Sequence, residues 1–295
     1  ERGEPVPMCG VPYHAAEGYI ARLLRAGYKI AVCDQMELPG PGKKLVRREV
    51  VRVITPGTVT SLNVLDAKEN SYLAALSRGA SGTPVGLAYA DVTTGEFQVT
   101  EFAGADADEK LRDELQRLKP REILLPRQAG LFAGGAGEAD GAGHGPGTRG
   151  EMRDAVETRI EEWVFRPDYA ERMLREQFGV ATLDGFGLAG HPQAVSAAGA
   201  LVHYLRETSA KGPENGHHFE AALGHMDRVR YYEQADALVL DAVTVRNLEL
   251  VAPIFAEDAA RGTSPTLLSA LDETATGMGA RLLRQWILRP QVDRE

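Results

Sequence analysis

Between Ala129 and Gly150, nine of 22 residues are glycine and large apolar side chains are almost absent. Burial there cannot offset the entropy lost on ordering, so this stretch is expected to be a flexible insertion. Any core must be built from the segments on either side, one patterned as strands and helices, the other mainly as helices. A chain of 295 residues suggests roughly two domains of about 150 residues. At 43% hydrophobic and 25% charged residues, the composition is globular. No stretch approaches the roughly 18 uninterrupted apolar residues of a membrane helix. Two cysteines, Cys9 and Cys33, supply neither a disulfide framework nor a four-ligand zinc site, which points to a reducing, cytoplasmic setting. The chain opens at Glu1 without an initiator Met or signal segment and closes at Glu295 without a terminating pattern, so an excised piece of a longer protein is expected.

The net charge of −9 conceals an asymmetry. Residues 1–60 carry nine Lys and Arg against six Asp and Glu, while the remainder carries 24 against 36. A basic region on an acidic chain is compatible with one confined nucleic-acid contact, although any single Lys or Arg reads first as solvated surface charge. This region begins with Pro5-Val6-Pro7-Met8-Cys9-Gly10-Val11-Pro12-Tyr13-His14, whose prolines exclude a regular helix and require a shaped loop. A short amphipathic helix follows from Ala16 to Ala26, with Tyr19, Ile20, Leu23 and Leu24 at helical spacing and Gly27 at its C-cap. Lys29–Cys33 and Val50–Ile54 read as strands, separated by a basic turn at Gly40–Lys44, and Thr55-Pro56-Gly57 stops the second.

Thr58–Glu69 reads as a linker. Strands are expected at Tyr72–Leu76, Val85–Val92 and Glu96–Phe102, the last two joined by a Thr93-Thr94-Gly95 turn. A helix over Asp106–Leu118 carries Leu111, Leu115 and Leu118 on one face, and Glu122–Leu125 is a buried strand. Interleaved strands and helices imply a mixed sheet covered by helices. Beyond the glycine-rich tract, helices are expected at Asp168–Phe178 and Gln193–Glu207, then a polar break at Lys211–His218. The stretch from Tyr231 onward is helix-rich, with Asp241 as N-cap of Ala242–Leu250 and a last helix from Met278 to Leu288.

Several chemistries are missing. Gly42-Lys43-Lys44 comes nearest to a phosphate-binding loop, but Glu37 stands where a glycine is needed and Lys44 where Ser or Thr must follow the lysine. Neither a Gly-x-Ser-x-Gly elbow nor a His-Glu-x-x-His zinc helix occurs, and the histidines are scattered apart from His217-His218. No catalytic residue and no metal site is expected. Asp91 on its strand could open a two-metal nuclease site, but that chemistry needs several convergent carboxylates and no second one stands out. A strand-end carboxylate making local hydrogen bonds is the plainer reading.

Three clusters carry a family resemblance. The first is the Pro5–His14 loop followed by Val50-Val51-Arg52-Val53-Ile54-Thr55-Pro56-Gly57-Thr58. The second is Asp241-Ala242-Val243-Thr244-Val245-Arg246-Asn247-Leu248-Glu249-Leu250. The third runs from Ser264-Pro265-Thr266-Leu267-Leu268-Ser269 through Thr276-Gly277-Met278-Gly279 to Ala280-Arg281-Leu282-Leu283-Arg284-Gln285-Trp286-Ile287-Leu288-Arg289-Pro290. In this order the chain resembles the MutS family of bacterial DNA mismatch-recognition proteins. The resemblance implies an α/β and α+β multidomain fragment: the C-terminal part of a mixed α/β mismatch-recognition domain (1–57), a linker (58–65), a ribonuclease H-like α/β connector (66–210), a second linker (211–230), and the start of an all-α core and lever (231–295). It also implies double-stranded DNA with mismatches or small loops, the protein MutL and a second copy as partners. The family's wedge motif, Phe-x-Glu, would precede Glu1, and Phe255-Ala256-Glu257 matches it only in letters. The ATPase domain, with ATP and Mg, would follow Glu295, so the fragment itself is expected to be no enzyme and to hold no cofactor.

Under that resemblance the DNA-binding candidates are Met8, Tyr13, His14, Lys43, Lys44, Arg47, Arg48 and Arg52. Tyr13 and His14 can bond sugar or phosphate without reading sequence, and the cations add backbone electrostatics. Alternation sets Arg48 and Arg52 on one strand face with Val51 and Val53 on the other. Core packing remains open for Met8 and Tyr13, and solvated loop charge for Lys43 and Lys44. Arg246, Asn247 and Glu249 are expected to form a surface polar network, and Leu248, Leu282, Leu283 and Trp286 to be core. Two other readings stand beside this one: a metal-dependent nuclease on the ribonuclease H-like unit, and a family member specialised for something other than repair.

Overall fold

The structure, a computed structural model, describes residues 10–37, 46–59, 67–80, 84–127, 155–208, 223–234, 237–255 and 265–292. The first unit is a helix, α1 (Ala16–Arg25), and an antiparallel pair, β1 (Ile30–Gln35) and β2 (Arg48–Ile54). Gly27, at φ +83°, turns the chain out of α1, a left-handed conformation glycine adopts without steric cost. The strands run from Ile30 opposite Ile54 to Gln35 opposite Arg48, with a register shift at Val32–Cys33. A small core of Leu24, Ile54 and Val59, flanked by Ile20, Ile30 and Val32, holds the unit together. Two expectations change here. Tyr19 and Leu23 are exposed, and Val59 is packed, so the chain is still anchored one residue past the expected start of the linker.

The second unit is a six-stranded sheet in the order β7-β6-β3-β4-β5-β8. Its strands are β3 (Tyr72–Arg78), β4 (Val85–Asp91), β5 (Glu96–Phe102), β6 (Glu122–Pro126), β7 (Val156–Ile160) and β8 (Arg230–Tyr231). Strands β3, β4 and β5 form an antiparallel meander, while β6 lies parallel to β3, β7 to β6 and β8 to β5. Helix α2 (Ala107–Leu118) returns the chain from β5 to β6. Its Leu111, Leu115 and Leu118 pack with Tyr72, Ala74, Leu76, Leu87, Tyr89 and Ile123. On the opposite face Leu73, Ala75, Ala88, Ala90, Val99 and Leu124 meet α3 (Pro167–Phe178) and α4 (Pro192–Thr208) through Leu174, Leu201 and Leu205. With both faces covered, β3 and β4 read as unbroken apolar runs rather than alternating ones.

Sequence patterning overlooked β7 and β8. Tyr231, where helix-rich structure was expected to start, is a strand residue beside Val99, and Tyr232 lies in the core under α2. The described residues from Asp241 onward contain three helices, α5 (Ala242–Asn247), α6 (Leu267–Leu271) and α7 (Gly277–Leu288). Asp241 caps α5 as expected, its side chain accepting from the Thr244 amide at 2.6 Å, though the helix ends at Asn247 rather than Leu250. Leu248, the C-cap of α5, is exposed rather than core. Leu282 and Trp286 are exposed too and Leu283 is only half-buried, because α7 turns Arg281, Gln285 and Leu288 toward its neighbours instead. Glu249 accepts from the Ile254 amide, and no bond joins it to the side chain of Arg246 or Asn247. The glycine-rich tract, the basic turn at Gly40–Lys44 and the polar break at Lys211–His218 lie outside the described residues.

Candidate nucleic-acid interface

Pro12 precedes a single 3-10 turn, Tyr13–Ala15, closed by the Ala15 amide donating to the Pro12 carbonyl at 2.9 Å. The turn runs straight into α1 and lifts both polar side chains off the unit: Tyr13 is 97% exposed and His14 is exposed as well. Core packing is thereby removed as the explanation for Tyr13. Along β2, Arg48, Val50 and Arg52 are exposed while Glu49, Val51 and Val53 are half-buried, so the two expected arginines do project to solvent from alternate positions.

The arginines are not equivalent. Arg47, just before the strand, is ion-paired with Glu49, which answers part of its charge, and its backbone amide donates to Glu37 Oε1 at 3.0 Å. Arg48 and Arg52 have no ion-pair partner among the described residues. Arg22 and Arg25, exposed on α1, add two cations that sequence reading passed over; Arg22 sits 4.4 Å above the Tyr19 ring. The packing of Leu24 against Ile54 joins the end of α1 remote from Tyr13 to the end of β2 remote from Arg48. No hydrogen bond or ion pair links Tyr13 or His14 to Arg48 or Arg52. Met8, Lys43 and Lys44 lie outside the described residues.

The unit is set on the sheet through a buried polar junction. Glu122, the first residue of β6, is fully buried; its Oε2 accepts from Thr55 Oγ1 at 2.5 Å and the Gly57 amide at 3.0 Å. Its Oε1 accepts from Thr158 Oγ1 at 2.5 Å and Tyr204 OH at 2.7 Å, with Lys29 Nζ at 3.4 Å. Burial and the adjacent Glu122 charge push the Tyr204 phenol far above its ordinary range. This carboxylate escaped sequence reading, although a charged residue opening the apolar run Glu122-Ile123-Leu124-Leu125 is a usable signal.

Asp91 is also fully buried, and its oxygens accept from Asn70 Nδ2, the Ser71 amide, and the amide and hydroxyl of Thr93 at 2.6–3.2 Å. Four donors already occupy it, as the local-hydrogen-bond reading requires. Glu122 and Asp91 lie at one end of the sheet, but each is consumed by its own donors. Among the described residues no group of three or more His, Cys, Asp or Glu is placed to hold a metal ion. Nor is any helix there long and apolar enough to cross a membrane.

A basic hairpin unit, a helix-covered mixed sheet and a helical tail define a multidomain α/β protein whose candidate site is an exposed basic surface. Comparison with known families agrees in every segment: residues 1–63 match MutS domain I, 71–220 MutS domain II, and 243–295 MutS domain III. The chain belongs to the MutS family. It is 48% identical to the DNA mismatch repair protein MutS of Solibacter usitatus over 295 residues, covering 100% of this chain and 31% of that protein. The DNA mismatch repair proteins MutS of Pelotomaculum thermopropionicum and Symbiobacterium thermophilum are each 42% identical over 290 residues, covering 98% of this chain and 30% of each relative. The chain thus spans about a third of the length of the curated relatives it matches.

Proposed function

We propose that this chain serves DNA mismatch repair, gripping duplex DNA by its backbone and coupling that grip to an ATPase carried elsewhere in the parent protein. The observation that carries the reading is the pair Arg48 and Arg52, exposed on β2 and without an ion-pair partner among the described residues, within the segment matched to MutS domain I. Phosphate contacts of this kind are sequence-independent, which suits a protein that must accept any site. The first unit, closing near Gly57, is the end of a mismatch-recognition domain. The antiparallel β3–β4–β5 meander continued by parallel β6 and β7 supports a ribonuclease H-like connector over about residues 66–210. The helices from Ala242 support the start of a helical core and lever.

In this reading the chain itself catalyses nothing. ATP and Mg are held outside it, the parent works in the cytoplasm as a homodimer, and MutL is its partner. Nothing in the site favours the nuclease alternative, since Asp91 and Glu122 are saturated by protein donors. The test is Arg48→Ala in the intact parent. Matched and mismatched duplex should weaken alike, with the slope of log affinity against log salt reduced by about one. A loss confined to mismatched duplex would overturn the backbone role.

A further inference from the structure

We infer that Glu122 is a latch that fixes the hairpin unit to the sheet, with Thr55 as the bond on which its release turns. A carboxylate removed from water persists only when donors surround it. The donors of Glu122 are divided between its two oxygens. Oε1 is served from the sheet side by Thr158 on β7 and Tyr204 on α4, with Lys29 of the first unit nearby. Oε2 is served only by Thr55 and the Gly57 amide, both in the turn that ends β2. If the hairpin unit lifts away, Oε1 keeps two donors and Oε2 keeps none. Full release lets water replace those donors, whereas a partial separation strips Oε2 of them before water can enter, so partly released states are disfavoured.

The fit is close enough to exclude a side chain at position 57. A Cβ on Gly57 would fall 2.8 Å from Leu73 Cδ1 and 2.9 Å from Glu122 Cβ. The turn Thr55-Pro56-Gly57 is buried throughout, and a Cβ on Gly27 would stand 3.2 Å from Val156 Cγ2, so the unit meets the sheet at the starts of β3, β6 and β7 together. Glu122 is accordingly a positioning residue. It sets where Arg48 and Arg52 stand relative to the sheet, a consequence for DNA that rests on the reading above.

The experiment compares two isosteric changes on the same carboxylate, Thr55→Val and Thr158→Val, in the intact parent. Spin labels at Cys33 and at Glu109→Cys, with other cysteines replaced, report the hairpin-to-sheet distance, and hydrogen exchange reports the Gly57 amide. Thr55→Val should broaden the distance distribution and speed Gly57 exchange about tenfold, the cost of one charge-assisted hydrogen bond. Thr158→Val should change that rate by less than about twofold, since Oε1 retains its other donors. Thr55→Ser, which keeps the hydroxyl, should restore the parent behaviour. Equal effects of the two valine variants, or none from either, would overturn the latch. If the distribution broadens but neither Thr55→Val nor Arg48→Ala alters duplex binding, the latch stands and the DNA-facing reading falls.

Discussion

Glu96, opening β5, and Glu114, on the helix α2 that covers the sheet, are under opposite influences. Desolvation raises the Glu96 carboxyl, opposed by hydrogen bonds from Tyr72, Gln285 and Gln98. For Glu114, burial is outweighed by the Arg117 charge and by hydrogen bonds from Arg117 and Tyr232, which hold it below its ordinary value. His203 gives the clearest pH consequence. Desolvation lowers its basicity, Glu207 works against that shift and Arg206 with it, while Tyr169 OH lies 2.7 Å from Nδ1. With the folded value below the unfolded one, the unfolded chain takes up the proton first as pH falls. Stability should therefore decline as pH drops below about 6.5 and level off once the folded ring also protonates. Thermal unfolding followed down to about pH 5 should fall less steeply for His203→Gln; parallel profiles would show that this ring contributes nothing.

Elements are held as much by small residues as by large ones. A Cβ on Gly199 of α4 would fall 2.4 Å from Ala170 Cα on α3, so the two helices meet at backbone distance. Alanine there gains about 1 kcal/mol of helix propensity, but forcing the helices apart costs about 1–3 kcal/mol and disturbs the packing of Leu174 and Leu201. Gly199→Ala should lower the melting temperature by several degrees, at about 2–4 °C per kcal/mol for a unit this size. An unchanged or raised melting temperature would show that α3 separates at no cost. Helix α7 reverses the usual arrangement, docking through polar side chains. Gln285 Nε2 donates to Tyr72 OH and Glu96 Oε2, both at 2.9 Å, and Arg281 donates to the Ala67 carbonyl and Thr93 Oγ1. Met278, Leu282 and Trp286 face outward, which is why apolar periodicity alone pointed to the wrong side of this helix.

Across the whole molecule, the hairpin unit and α7 dock at one end of the sheet and on adjacent residues of β3. Leu73 lies against position 57, and Tyr72 bonds Gln285. Strain at the start of β3 is felt by both docks, so Thr55→Val and Gln285→Ala should not add. Their unfolding free energies are expected to depart from additivity by more than about 0.5 kcal/mol in a double-mutant cycle. Additivity within that margin would make the docks independent and remove β3 as the physical link between the hairpin unit and the helical segment.

Short-range rules placed much of this chain from the sequence alone. The strand Glu96–Phe102 has the bounds its alternation implied, α2, α3 and α4 lie within a residue or two of their periodic runs, and Asp241 caps α5. Those features depend on residues within one pleat or one helical turn. The exposure of Arg48 and Arg52 was legible for the same reason. Tertiary structure alone decided the rest. Val156–Ile160 became a strand by pairing with β6, and Arg230–Tyr231 by pairing with β5, each across a long stretch of chain. Glu122 draws its donors from Thr55, 67 residues away, and Tyr204, 82 residues away. A buried charge is permitted by the groups that surround it, and those become neighbours only when the chain has folded.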